Sequence, residues 1–165
     1  MKTALIVDVS NLYFAINLAH EGKRLMLLDY AKHLEDQGHN LVFKIAYSRQ
    51  SASGAQNFTH MLNCHGFETH FGKGPWLVPI VLRTTELLRD IDCLVIGSND
   101  EQLYSLFEYA RKAGKKTKCF AVTIPADMKK HAECFEVPES MMVANAPAQK
   151  TKQVVMPNNG SSDGS

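Results

Sequence analysis

Residues 3–13, Thr-Ala-Leu-Ile-Val-Asp-Val-Ser-Asn-Leu-Tyr, say more about the fold than any other segment of the chain. The first five of them form an apolar run rich in β-branched side chains, which is typical of a strand covered on both faces. Asp8 ends the run, and Asn11 follows three residues later. Because ligands bind beyond the carboxyl ends of parallel strands, we expect both side chains at one ligand site.

Similar apolar runs recur and alternate with segments of helical periodicity. The further predicted strands are residues 40–47, 93–96, 118–122 and, with a weaker pattern, 66–71. Predicted helices are residues 29–35, residues 103–110 with an i, i+3, i+4, i+7 apolar stripe, and residues 83–90, which Pro75 and Pro79 should keep from beginning earlier. This alternation predicts an α/β fold with a central, mostly parallel sheet flanked by helices.

Composition limits the class of protein. The 165 residues carry a formal charge of +1 and are 45% apolar, which excludes a disordered chain and a global attraction to polyanions. No apolar run is long enough to span a membrane, and the four cysteines form no CxxC pair, so we expect a cytoplasmic protein with reduced thiols. We predict one folded domain over residues 1–142 and a flexible polar tail over residues 143–165.

A second polar segment follows another predicted strand. Gly97 is expected to allow a tight turn before Asp100 opens a helix, and Ser98 and Asn99 lie between them. Carboxylates from separate strand ends, with amide side chains nearby, suit Mg²⁺ or Mn²⁺ better than Zn²⁺. An Asp or Asn after a strand is also a common helix cap, so a purely structural role stays open for each residue.

Several motifs, in order, resemble the NYN domain family, in the LabA-like branch of the PIN-like nucleases. The matching segments are residues 8–13 (D-x-x-N-L), 72–74 (the K-G element), 94–100 (strand and loop), 113–122 (strand) and 125–135 (terminal helix and edge strand). The resemblance covers about residues 3–138. It implies a PIN-like three-layer sandwich and a metal-dependent endonuclease, usually acting on RNA. Asp8 would be a metal ligand, Asn11 would position it or the substrate, and Asp100 would be the distal acid.

The chain departs from the family pattern at two places. Residues 75–82 contain no acid where the family carries one, and Ser98 stands at the first acid of the family's loop, although some PIN-like nucleases use a Ser-Asn-Asp version. Glu86 is the nearest replacement ligand and Glu101 a further one. Two carboxylates are sufficient for one Mg²⁺ if water and substrate phosphates complete the coordination.

Substrate contacts are expected around the same edge of the sheet. Arg49 ends a predicted strand before a small polar loop, residues 50–57; Lys73 and Arg83 are further cations. Trp76 would stack on an unpaired base, or else pack on the core. Ser10, Ser98 and Asn99 are predicted to contact substrate as well.

Three histidines, His60, His65 and His70, follow one another at a spacing of five residues. This spacing does not place them on one helical face, so the sequence does not predict a metal site from them.

The sequence supports two functional hypotheses. The first is a cytoplasmic Mg²⁺- or Mn²⁺-dependent endoribonuclease acting on single-stranded or structured RNA. The alternative is a catalytically degenerate NYN-fold module that binds RNA or a protein partner. A homodimer is compatible with either hypothesis, and no membrane association is expected.

Overall fold

The computed structural model describes residues 1–49 and 55–144 of the chain. Its elements, in chain order, are β1 (Lys2–Asp8), α1 (Val9–Ala19), β2 (Lys23–Leu25), α2 (Leu27–Asp36), β3 (Asn40–Arg49), α3 (Ala55–Cys64), β4 (Glu68–Gly72), α4 (Leu77–Leu87), β5 (Cys93–Gly97), α5 (Tyr104–Lys112), β6 (Lys116–Ala121), β7 (Glu133–Glu136) and β8 (Met142–Ala144).

Six of the strands form one sheet in the order β4-β3-β1-β5-β6-β7, and every neighbouring pair is parallel. From β1 the chain builds outward to β3 and β4, then crosses back to β5 and builds the other half. The order therefore reverses between β1 and β5. Open parallel sheets bind ligands at such a reversal, outside the carboxyl ends of the strands.

Apolar side chains cover both faces of the sheet, as the continuous apolar runs of its central strands require. On one face Leu12, Tyr30 and Leu62 pack from α1, α2 and α3. On the other face Ile80 and Phe107 pack from α4 and α5. The predicted α/β architecture, a central parallel sheet between helical layers, is confirmed.

A small antiparallel sheet lies beside the main one. β8 pairs with β2, with Met142 opposite Leu25 and Ala144 opposite Lys23. β8 therefore includes residues 143 and 144 of the segment that was predicted as a tail. The rest of the predicted tail, residues 145–165, and residues 50–54 of the predicted polar loop lie outside the described residues. Residues 55–57, predicted as loop, belong to α3.

The prediction that two prolines delay α4 is wrong. The helix begins at Leu77, so Pro79 lies in its first turn. The N–H groups of a first turn have no partner within the helix, so a proline there removes no hydrogen bond. The helix was predicted to end at residue 90. α4 ends at Leu87, and residues 88–90 continue it as a 3-10 turn.

Gly97 does not form the tight turn that the sequence predicts. It ends β5 and is absent from the residues with positive φ among those the structure describes. A side chain would not fit there, because a Cβ on Gly97 would lie 2.6 Å from two ring carbons of Phe120. The glycine is therefore needed for space in the core.

Candidate active site

Asp8 occupies the junction between β1 and α1. It ends the strand and caps the helix, since its Oδ1 accepts the backbone N–H of Asn11 at 3.2 Å. Its side chain points toward the α4 and α5 face, because it lies two residues after Ile6, which packs there. The residue is only 8% exposed. A carboxylate is thus held at the carboxyl edge of the sheet, next to the reversal in strand order.

Asn11 connects this junction to the segment after β5. Its Oδ1 accepts the backbone N–H of Asn99 at 2.6 Å and the hydroxyl of Ser98 at 3.1 Å. The Ser98 hydroxyl in turn accepts the backbone N–H of Asp100 at 3.1 Å. A short chain of hydrogen bonds therefore fixes the position of Asp100 relative to Asp8.

Asn99 extends the network to the next strand. Its Nδ2 donates to the backbone oxygen of Thr123 at 3.0 Å, and its Oδ1 accepts the backbone N–H of Val122 at 3.1 Å. The segments following β1, β5 and β6 are therefore tied to one another. These contacts give Ser98 and Asn99, which were predicted to contact substrate, an architectural role.

The negative charge of Asp100 acts on the carboxyl group of Asp8. The pKa of Asp8 is raised overall, chiefly because the side chain is buried. The N–H of Asn11 and the charge of Arg49 lower the pKa, whereas the charge of Asp100 raises it. Asp100 caps the 3-10 turn at residues 101–103 through Oδ1, which accepts the N–H of Gln102 at 3.0 Å. The remaining oxygen of each carboxylate accepts no hydrogen bond from residues 1–49 and 55–144.

This donor set fits one hard divalent cation. A second negative charge near a buried carboxylate is unfavourable unless a cation offsets it, and each carboxylate keeps one oxygen for coordination. Within the described ranges there is no group of three or more His, Cys, Asp or Glu side chains that would hold a metal ion. Asp8 and Asp100 are therefore the two described carboxylates of this junction that are available to a metal ion.

Arg49 is a cation whose charge acts on Asp8. Its backbone N–H donates to the hydroxyl of Ser10 at 2.7 Å, which ties the end of β3 to the start of α1. Its side chain lies beside Gly74, where a Cβ would be 3.6 Å from Nε. Arg49 thus spans the gap between Asp8 and the segment that follows β4, and Ser10 positions its backbone.

Trp76 packs mainly on protein. Its ring lies 5.3 Å from that of Tyr47, and a Cβ on Gly72 would meet its Cη2 at 3.1 Å. Its indole N–H is buried and has no hydrogen-bond partner among the described residues. Of the two roles predicted for Trp76, these contacts support packing on the core. Lys73 is exposed at the carboxyl edge of the sheet, directly after β4.

Glu86 and Arg83 form ion pairs on α4. Arg83 donates to Glu86 at 3.1 Å and to Glu68 at 2.8 Å. Within the described residues no third acid joins Asp8 and Asp100 in a group that would hold a metal ion. The structure does not bring Glu86 to Asp8 as a third ligand, and it uses Arg83 in ion pairs.

Sequence reasoning missed three contributors to this region. Thr123 supplies a backbone acceptor directly after β6, and the same strand-end rule that selected Asp8 would have indicated it. Tyr47 lies opposite Asp8 in the register of β1 and β3, and His70 lies opposite Tyr47 in the register of β3 and β4. Asp8, Tyr47 and His70 thus form a row across the sheet. The row depends on the order of the strands, which no local sequence pattern predicts.

We predict that Asn11→Ala lowers the free energy of unfolding by about 1–3 kcal/mol, because it leaves the N–H of Asn99 and the hydroxyl of Ser98 without their acceptor. Asn17→Ala on the same helix is the matched control, since it removes only an exposed bond from the N–H of Gly22. Urea unfolding measures both. Equal losses in the two variants would show that the Asn11 network contributes nothing specific.

The comparisons with known proteins give the family and the fold of the chain. The chain belongs to the NYN domain family, whose model matches residues 2–138. Domains of this family are generally nucleases of the PIN-like superfamily. No curated protein matches the chain. A crystal structure of a protein of unknown function from Vibrio parahaemolyticus RIMD 2210633 shares the fold, with a TM-score of 0.76, 24% identity, and coverage of 86% of this chain and 96% of that one. None of the described helices has the length and apolar character needed to cross a membrane.

Proposed function

We propose that the chain is a metal-dependent endoribonuclease in which Asp8 and Asp100 together hold one Mg²⁺ or Mn²⁺. The observation that carries the proposal is the chain of hydrogen bonds through Asn11 and Ser98 that ties these two acids together at the reversal in strand order. Membership in a family of nucleases supports the reaction class. The D-x-x-N-L opening supports assignment to the LabA-like branch.

The residues around the two acids would have different roles in the reaction. Asp8 and Asp100 would hold a divalent cation, which would supply activated water for attack on a phosphodiester and would offset the charge that develops on the phosphate. Asn11, Ser98 and Asn99 hold the two carboxylates at a fixed separation. Arg49 and Lys73 lie on the β3 and β4 side of the acids, where their charges would bind the phosphates of the RNA strand.

The test is a cleavage assay on end-labelled RNA. We predict that the protein cleaves the RNA at internal positions in the presence of Mn²⁺ or Mg²⁺. A chelator should abolish cleavage, because without the metal the two carboxylates do not activate water to the same degree. Restoring Mn²⁺ should restore cleavage. Cleavage that continues at full rate in the chelator would contradict the proposal.

A second candidate function is an RNA-binding or adaptor module that has lost catalysis. It is favoured by one observation: the described residues bring two carboxylates together and no third one. Binding of RNA without turnover, unchanged when divalent metal is removed, would select this function over the nuclease. The cytoplasmic location and the homodimer stay predictions; size-exclusion chromatography tests the homodimer.

A further inference from the structure

His70 presents an aromatic ring at the edge of the sheet. Its ring lies on that of Tyr47 with a centroid distance of 4.8 Å and an interplanar angle of 15°. No other ring pair within residues 1–49 and 55–144 is as nearly parallel. Tyr47 is buried, whereas the His70 side chain is 41% exposed. One face of the imidazole therefore packs on Tyr47, while much of the side chain is exposed to solvent.

A chain of hydrogen bonds fixes the edge of this ring. Nε2 of His70 donates to Oε1 of Glu68 at 2.8 Å, and Nη2 of Arg83 donates to Oε2 of Glu68 at 2.8 Å. Burial raises the pKa of Glu68, but the hydrogen bonds from His70 and Arg83 outweigh it and lower the pKa overall. The carboxylate therefore stays ionised at neutral pH and holds the imidazole against rotation.

The ring lies in one row with the proposed metal site. Asp8 is opposite Tyr47, and Tyr47 is opposite His70, so the three side chains leave the same face of the sheet at the same level. Two strand spacings separate Asp8 from His70, or about 10 Å, roughly the length of three stacked nucleotides. β4 is the last strand on that side of the described sheet.

We propose that the outer face of His70 stacks on an unpaired base of single-stranded RNA whose backbone lies over Asp8 and Asp100. This inference rests on the proposed function and selects single-stranded over structured RNA as its substrate. A duplex cannot satisfy the contact, because its bases are already stacked on both sides. A rigid ring that is partly exposed to solvent is the platform that single-strand binders use.

The experiment compares His70→Ala with His70→Phe in Mn²⁺-dependent cleavage. Both variants lose the hydrogen bond to Glu68, but only phenylalanine keeps a flat ring on Tyr47. We expect His70→Ala to raise KM for single-stranded RNA about 5- to 30-fold with little change in kcat, and His70→Phe to stay near the wild-type KM. His65→Ala is the matched control: among the described residues the exposed His65 side chain is hydrogen-bonded only to the Met61 backbone oxygen, so the KM of this variant should not change.

The other outcomes separate this inference from the proposed function. If the wild type cleaves RNA and His70→Ala keeps its KM, or if both variants raise it equally, base stacking on His70 is overturned while the nuclease stands. Cleavage of duplex RNA as efficiently as of single strands would also overturn it. A wild type that neither cleaves nor binds RNA would remove the proposed function and this inference together.

Discussion

Asp8→Asn and Asp100→Asn will each lower the rate of RNA cleavage at least about 100-fold, because metal activation of a phosphoryl transfer is worth several kcal/mol and each 1.4 kcal/mol is a factor of ten. Asparagine keeps the shape of the side chain and an oxygen for the capping bond to Asn11 or Gln102. The substitution therefore removes charge and metal affinity with little change in the backbone. Gel analysis of labelled RNA over time measures the rates.

Asp36→Asn provides the matched control. Asp36 is an exposed carboxylate at the end of α2, near the amino edge of the sheet where β3 begins. This variant should cleave at the wild-type rate. Cleavage that survives substitution of both Asp8 and Asp100 would remove them from the reaction.

Asp8→Asn should also raise the stability of the metal-free protein at neutral pH. Burial raises the pKa of Asp8, so the folded chain binds the proton more tightly than the unfolded chain does. The contribution of Asp8 to the free energy of unfolding therefore falls as the pH rises from its ordinary pKa of 3.8 through the raised value. Asparagine carries no such penalty. Unfolding in chelator at pH 7 should show the gain, and the gain should shrink toward pH 3.8.

Gly97→Ala is predicted to destabilise the fold by at least about 3 kcal/mol, at the upper end of the cost of overpacking a core. The added Cβ would lie 2.6 Å from two carbons of the Phe120 ring. That ring is fully buried and packs at 3.9 Å, centroid to centroid, on Tyr30, so it has no room to move away. Thermal and urea unfolding measure the loss, and a variant within about 1 kcal/mol of the wild type would contradict this explanation.

A second substitution distinguishes a steric clash with Phe120 from a general sensitivity of β5 to substitution. Phe120→Leu removes the ring carbons that the new Cβ would meet, at the cost of a cavity. We expect Gly97→Ala with Phe120→Leu to be less destabilised than the sum of the single variants. Strict additivity would show that the two residues do not compete for the same space.

The fold was predictable from the sequence because it rests on local patterns. The apolar run before Asp8 and the stripe from Leu103 to Ala110 each identify an element without reference to the rest of the chain. The pairing of Asp8 with Asn11 is also local, since a helix cap reaches only a few residues along the chain. These features required periodicity and capping rules alone.

The relations between elements were not predictable in the same way. Glu86 was proposed as a ligand from its distance along the chain, and its place in space depends on the direction in which α4 crosses the sheet. Gly97 was assigned to a turn, whereas its role depends on Phe120 in the neighbouring strand. Asn11 was expected near the metal, but its bonds to Ser98 and Asn99 require the adjacency of β1 and β5.

The central claim is that Asp8 and Asp100 share one divalent cation. A crystal structure of the protein grown with Mn²⁺, with the ion located by its anomalous scattering, tests this most directly. We predict one Mn²⁺ coordinated by a carboxylate oxygen from each aspartate, at the carboxyl edge between β1 and β5. Mn²⁺ bound to other residues, or to one of these aspartates without the other, would contradict it.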